Sequence, residues 1–177
     1  MTARGSLGRL GASLAEDARQ ALWFLVVNRI AASVFMPRAL RHVLYRVVGL
    51  AIHTPTIEHG CTFTGRRAIS IGEGTFVNYE AFFEGAPITI GTGCMIGMQT
   101  MFVTAHHPPD EHGRITHAVV QRPIVVGDGC WIGARALILP GVTIASGCTV
   151  AAGAVVASDL VEPGVYGGVP ARLLRAR

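Results

Sequence analysis

Six β-branched residues, Val126, Ile132, Ile138, Ile144, Val150 and Val156, follow one another at a constant step of six. A strand repeats every two residues and a helix near every 3.6, so neither alone accounts for this beat. A chain wound into flat triangular coils does. Each side turns one aliphatic residue inward, and three sides of six residues make eighteen per coil. Ile90, Ile96 and Phe102 keep the beat, as do Ile71, Val77 and Phe83, and Ile57 with Phe63. The step is eight from Phe63 to Ile71, seven from Phe83 to Ile90 and twenty-four from Phe102 to Val126. The last gap is polar and proline-bearing from His106 to Arg122, which predicts a loop that leaves the coil and returns in phase.

Glycine follows Ile71, Ile90, Ile96, Val126 and Ile132, and alanine follows Ile144 and Val150. Small residues suit tight corners. A turn-rich sandwich would instead alternate within each strand, with turn signals about every 8–12 residues. The array therefore predicts a mainly β solenoid over residues 54–158, each coil burying its neighbour's face, with an excursion at about 105–122.

Residues 1–53 differ. Leu14, Ala18, Ala21, Leu22, Leu25 and Val26 fall at helical spacing, and a second helical run follows Pro37 through Leu40, Val43, Leu44 and Val47. Asn28 and Arg29 break the apolar stretch from Ala21 to Phe35, which is too short to span a bilayer. Two amphipathic helices covering an end of the solenoid, and so hiding its open strand edge, are expected. Peripheral contact with a membrane, with Arg38, Arg41 and Arg46 near lipid phosphates, is the second reading. Residues 159–177 predict a loop rich in proline and glycine and a basic tail, docked through Leu173 and Leu174.

Half of the 177 residues are hydrophobic and 15% are charged, which is the composition of one folded domain with a large core. The net charge is +4, and all fifteen basic residues are arginine. Most of these read as solvated surface, and no nucleic-acid partner is expected. The four cysteines, Cys61, Cys94, Cys130 and Cys148, each follow a glycine, and no C-x-x-C pair occurs. Free thiols acting as small hydrophobes, together with no secretory signal, point to the cytoplasm. Cys130 and Cys148 are eighteen apart and should stack on adjacent coils.

His106 and His107 stand where the coil gives way to the excursion, followed by Pro108 and Pro109. An imidazole titrating near neutral pH can take a proton from an alcohol or amine, and the prolines would stiffen the exit. Surface histidines are the plainer reading of such a pair alone.

The segment Thr104-Ala105-His106-His107-Pro108, the run from Pro123 to Ala134, and the segments beginning at Leu139, Ala152 and Gly167 together resemble the hexapeptide-repeat acyltransferases. Within them the galactoside, maltose and nodulation-factor O-acetyltransferase group is the most similar. The resemblance covers residues 57 to 177. It implies a left-handed parallel β-helix and a homotrimer with active sites between subunits. It also implies acetyl-CoA as acyl donor, with neither a metal nor a covalent intermediate. The family's catalytic histidine precedes proline, which is His107 here, as general base. Asn78 resembles the asparagine that contacts the acceptor, and a turn-stabilising role is equally open to it; Glu84 is a weaker candidate for the same cleft. Trp131 resembles the tryptophan on the donor side. Ala134, Ala152 and Ala157 match positions along the pantetheine arm, where small side chains let the backbone approach. Arg172 and Arg175 match positions that meet the CoA phosphates. Ser158 stands where relatives carry lysine, so one phosphate contact is lost.

An N-acyl or antibiotic acetyltransferase would use a carboxylate such as Glu80 or Glu84 beside an amine. From other classes, a non-catalytic β-helix scaffold and a metal-dependent carbonic anhydrase-like enzyme, with His112 and His117 as one ligand pair, are the alternatives.

Overall fold

A computed structural model describes residues 3–65, 68–85 and 87–177. The fourteen residues that set the beat, from Ile57 to Val156, are each at most 2% exposed. They line the inside of a parallel β-solenoid, whose short strands are numbered β1 to β18 in chain order.

The first face stacks β1 (Ala51–Ile52), β3 (Ile69–Ile71), β6 (Ile88–Ile90), β11 (Ile124–Val126) and β14 (Thr143–Ile144). The second stacks β4 (Phe76–Val77), β7 (Met95–Ile96), β12 (Trp131–Ile132), β15 (Thr149–Val150) and β17 (Gly164–Gly167), with β18 (Arg172–Ala176) folded back antiparallel on β17. The third stacks β2 (Thr62–Phe63), β5 (Phe82–Phe83), β8 (Met101–Phe102), β13 (Leu137–Ile138) and β16 (Val155–Val156). The register sets each inward residue over its counterpart: Ile71, Ile90, Val126 and Ile144 on one face, and Val77, Ile96, Ile132 and Val150 on the next. All three breaks in the beat fall at one corner, between the third face and the first. Coils stack so closely elsewhere that a Cβ on Gly133 would lie 2.5 Å from the Ala152 nitrogen, which requires glycine there.

The third face carries an aromatic column. Phe63, Phe83 and Phe102 stack with centroids 5.0 Å apart and planes within 8° of parallel. Tyr45 closes the column edge-on over Phe63, at 5.1 Å. It comes from the helical cap: α1 (Ala3–Leu25), a π-helical stretch (Val26–Ala31) and α2 (Arg38–Val47). The cap solves the open-edge problem at β2 with side chains. Asn28 donates from Nδ2 to the Phe63 carbonyl (3.1 Å) and accepts the Phe63 N–H at Oδ1 (2.8 Å), while Trp23 Nε1 donates to the same carbonyl (2.9 Å). Asn28 thus imitates one residue of a missing strand.

Arg41 is 3% exposed and donates to four backbone carbonyls, those of Ala31, Ile57, Ser33 and Met36, at 2.8–3.0 Å. It ties α2 to the end of the π-helical stretch and to the first coil. The expectation that Arg41 would face lipid phosphates is therefore corrected: its guanidinium is spent on backbone carbonyls of the helix end, the turn before α2 and the first coil. The four cysteines are free and buried, with Cys94, Cys130 and Cys148 on successive coils of the second face.

Candidate active site

The excursion is an ordered β-hairpin. From the third–first corner, β9 (Ala105–His106) leaves and pairs antiparallel with β10 (Val120–Gln121), and Pro109 bridges Ile115 farther out. At the tip, the carboxylate of Asp110 accepts the N–H groups of Arg114 and His112 and the Arg114 guanidinium. These contacts, the Arg114 N–H foremost, hold it below the usual carboxylate range. Polar residues with two prolines read as a loop in sequence, because the strand pairing here is made by backbone groups that carry no signature.

The two histidines differ. His106 is half-buried, and its Nδ1 has no hydrogen-bond partner. His107 is exposed, and its Nδ1 lies 3.0 Å from the Ala118 carbonyl across the hairpin. A carbonyl can only accept, so this contact places the proton on Nδ1 and leaves the Nε2 lone pair of the neutral ring free. Thr116 fixes the same geometry: its hydroxyl donates to the Pro108 carbonyl (2.9 Å) and accepts the Ala118 N–H (3.3 Å). Glu84, one coil below, anchors the root of the hairpin, where its Oε2 accepts the N–H groups of Thr104 (2.8 Å) and Ala105 (2.9 Å). Sequence reasoning missed Thr116 and the Ala118 carbonyl. A single threonine and a backbone oxygen offer no pattern to find.

Asn78 lies at the other end of the third face, at the second–third corner. Its Oδ1 accepts the N–H of Tyr79 (2.8 Å), a corner-stabilising contact, which leaves its amide N–H groups available. Ala134 and Ala152 stack on this same corner, and Trp131, 55% exposed, stands on the second face just before it. Glu80, Gln99 and Arg135 follow one another up the corner with φ of 57–60°, a conformation uncommon outside glycine. Their side chains form a ladder, Arg135 Nε to Gln99 Oε1 and Gln99 Nε2 to Glu80 Oε2, each 2.7 Å.

Ala157 and Ser158 are exposed at the third–first corner, three coils above Glu84's neighbour Phe83 in the stack that runs through Phe102 and Ile138. Arg172 and Arg175 are exposed on β18 at the edge of the second face. One chain thus divides the candidate residues between two corners. His107, Glu84, Ala157 and Ser158 share one; Asn78, Ala134 and Ala152 share the other, with Trp131 beside them. His112 and His117 are in the excursion, and among the described residues no three His, Cys, Asp or Glu side chains gather as a ligand set for a metal.

Comparison with known proteins places this geometry in context. Residues 123–158 match the family described as bacterial transferase hexapeptide (six repeats). The hexapeptide-repeat-containing acetyltransferase of Vibrio cholerae O1 biovar eltor, solved in complex with acetyl coenzyme A, is 34% identical, with a TM-score of 0.72 over 90% of this chain and 85% of that one. Nodulation protein L of Rhizobium meliloti is 40% identical over 59% of this chain and 58% of its own length. The sophorolipid acetyltransferase of Starmerella bombicola is 47% identical over 60% of this chain and 42% of its own length. The chain spans less than two thirds of the length of the curated relatives it matches.

Proposed function

We propose that this chain, which belongs to the hexapeptide-repeat acetyltransferase family, transfers an acetyl group from acetyl coenzyme A to a hydroxyl of a sugar or another small hydroxylated acceptor. The observation that carries the reading is the His107 ring, held through Nδ1 by the Ala118 carbonyl with Nε2 free. Acetyl coenzyme A supplies the acyl group as an activated thioester. His107 takes the acceptor's proton at Nε2 as that oxygen attacks the thioester carbonyl, and returns the proton to the departing thiolate. No covalent bond to the enzyme forms. Such a base is worth about 10²–10⁴ in rate. Thr116 and Glu84 keep the ring in place, one through the hairpin and the other through its root.

The surface suits the donor. Ala152 and Ala157 are exposed and small, and Ala134 is half-exposed, so a narrow pantetheine arm can lie against the coil. Trp131 offers an exposed apolar wall, and the guanidinium groups of Arg172 and Arg175 suit phosphates. The partition of these residues between two corners supports a homotrimer in this reading. The second–third corner of one copy meets the third–first corner of the next, a head-to-tail contact that closes into a ring. Exposed Met95, Met98, Met101 and Trp131 provide apolar area for the seam. One relative acts, by name, on a sophorolipid, which favours a carbohydrate hydroxyl over an amine as acceptor. Four buried free thiols suit the reducing cytoplasm.

The test is coenzyme A release from acetyl coenzyme A against a panel of sugars, polyols, nucleotide sugars, glycolipids and amines. Acceptor-dependent release with hydroxyl compounds supports the reading; release with amines alone, or none with any acceptor, refutes it.

A further inference from the structure

Helix α2 buries one of its three arginines, Arg41, with Tyr45, and packs Leu44 against the core, whereas Leu40, Val43 and Val47 are 57%, 52% and 76% exposed. Those three lie at i, i+3 and i+7, one stripe of a helix. The stripe continues into the turn before the helix, where Phe35 is 91% exposed. Arg29, Ile30, Phe35, Met36 and Leu40 line one shallow groove, so the apolar surface is continuous and has a guanidinium at its border. Arg46 flanks the stripe on α2 itself, one helical turn from Val43.

Charge follows the same division. Seven of the fifteen arginines and two of the eleven acidic residues lie in residues 1–50, so this segment carries +5 and the remaining 127 residues carry −1. Of the described acidic groups near the cap, Glu16 is paired with Arg19, Glu58 is buried against Arg38, and Asp17 lines a surface hollow on α1 together with Arg29, the one acid set against the two arginines at this face. A solvated helix face has no reason to expose aliphatic residues while burying an arginine. A second copy laid symmetrically on this face would oppose two surfaces that each carry Arg29 and Arg46, like charge against like charge. An anionic lipid surface accepts both the aliphatic stripe and the flanking guanidinium groups.

We infer that α2 and the turn before it dock this protein on the surface of an anionic lipid bilayer, with Phe35, Leu40, Val43 and Val47 in the interface and Arg29 and Arg46 at the phosphates. Docking lies flat, since no described helix is long and apolar enough to cross a membrane. The inference does not depend on the acyl-transfer reading.

Co-sedimentation of the full chain with vesicles tests it. Vesicles of phosphatidylcholine with phosphatidylglycerol pellet the protein, vesicles of phosphatidylcholine alone do so less, and high salt releases it. Phe35→Ser with Val47→Ser lowers the vesicle partition coefficient about tenfold or more. Arg46→Gln lowers it on anionic vesicles only. Phe35→Ser with Val47→Ser keeps the wild-type melting temperature, because both side chains face solvent, and Arg46→Gln gives up only the long 3.5 Å contact of Arg46 Nη1 with the Ile52 carbonyl. The inference is overturned by no binding to anionic vesicles, by equal binding with and without phosphatidylglycerol, or by variants that bind like wild type. It is also overturned if Phe35→Ser with Val47→Ser changes the sedimentation coefficient without lipid, which would place a second copy of the chain on this face.

Discussion

His107 and Ala118 face each other across the excursion hairpin, with the imidazole Nδ1 3.0 Å from the carbonyl oxygen. The contact selects one tautomer and one ring orientation. Thr116 stands behind it, bound to both hairpin strands. In Thr116→Val the isosteric side chain keeps the fold but frees the strands, and turnover falls about tenfold, in line with a loss near 1.4 kcal/mol. The Michaelis constant for acetyl coenzyme A stays near wild type. Steady-state kinetics on the two proteins gives both values.

Glu84→Ala removes the acceptor for two backbone N–H groups at the hairpin root. The lost charge-assisted hydrogen bonds cost about 1.5–3 kcal/mol locally. Hydrogen exchange at Thr104 and Ala105 should accelerate, and turnover should drop. Glu84→Gln retains an oxygen acceptor and recovers part of both.

If the site is shared between copies, two dead variants repair each other. His107→Ala disables one corner, and Ala152→Trp obstructs the donor path on the other. Co-expressed, they assemble seams that pair an intact His107 with an intact Ala152 corner. Activity of the mixture well above either variant alone is expected, measured by coenzyme A release on the co-purified protein.

Asn28 was legible only as an interruption in an apolar run. Its task depends on Phe63, thirty-five residues away, and no local pattern encodes an edge cap. The solenoid is the opposite case. Each coil repeats the same local rule, so the burial of Val126, Ile132 and their successors could be read directly, and so could the corner of the excursion. The division of candidate residues between corners also follows from counting faces. The hairpin within residues 105–122 and the outward aliphatic stripe of α2 do not, because backbone pairing and the direction of a helix face are decided by tertiary contacts.

The Asn28 cap has a measurable weight. Asn28→Ala leaves the N–H of a buried edge residue without its partner and removes one of the two donors to the Phe63 carbonyl, at a cost of about 1–3 kcal/mol. The melting temperature should fall by several degrees, at roughly 2–4 °C per kcal/mol for a chain of this size. Asn28→Asp retains the acceptor but sets an anion against the carbonyl, and should be worse than alanine.

Burial pushes the Cys61 thiol up to about 12, from 9.0, and raises Tyr45 in the same way. A raised folded-state value means that the unfolded chain loses its proton first. Stability is therefore intact below about pH 9 and declines as pH climbs from there towards 12. Ala81 and Ala136 occupy the equivalent corner position on other coils, so Cys61→Ala should fold well and show a shallower alkaline decline. Melting temperature against pH, for the two proteins, checks this.

The most direct measurement compares acceptor-dependent coenzyme A release by the wild type, His107→Ala and His106→Ala, each verified for secondary structure and oligomeric state. His107→Ala alone should lose about two to four orders of magnitude in turnover, while His106→Ala stays within about tenfold of wild type. Undiminished turnover in His107→Ala, or a collapse confined to His106→Ala, would contradict it.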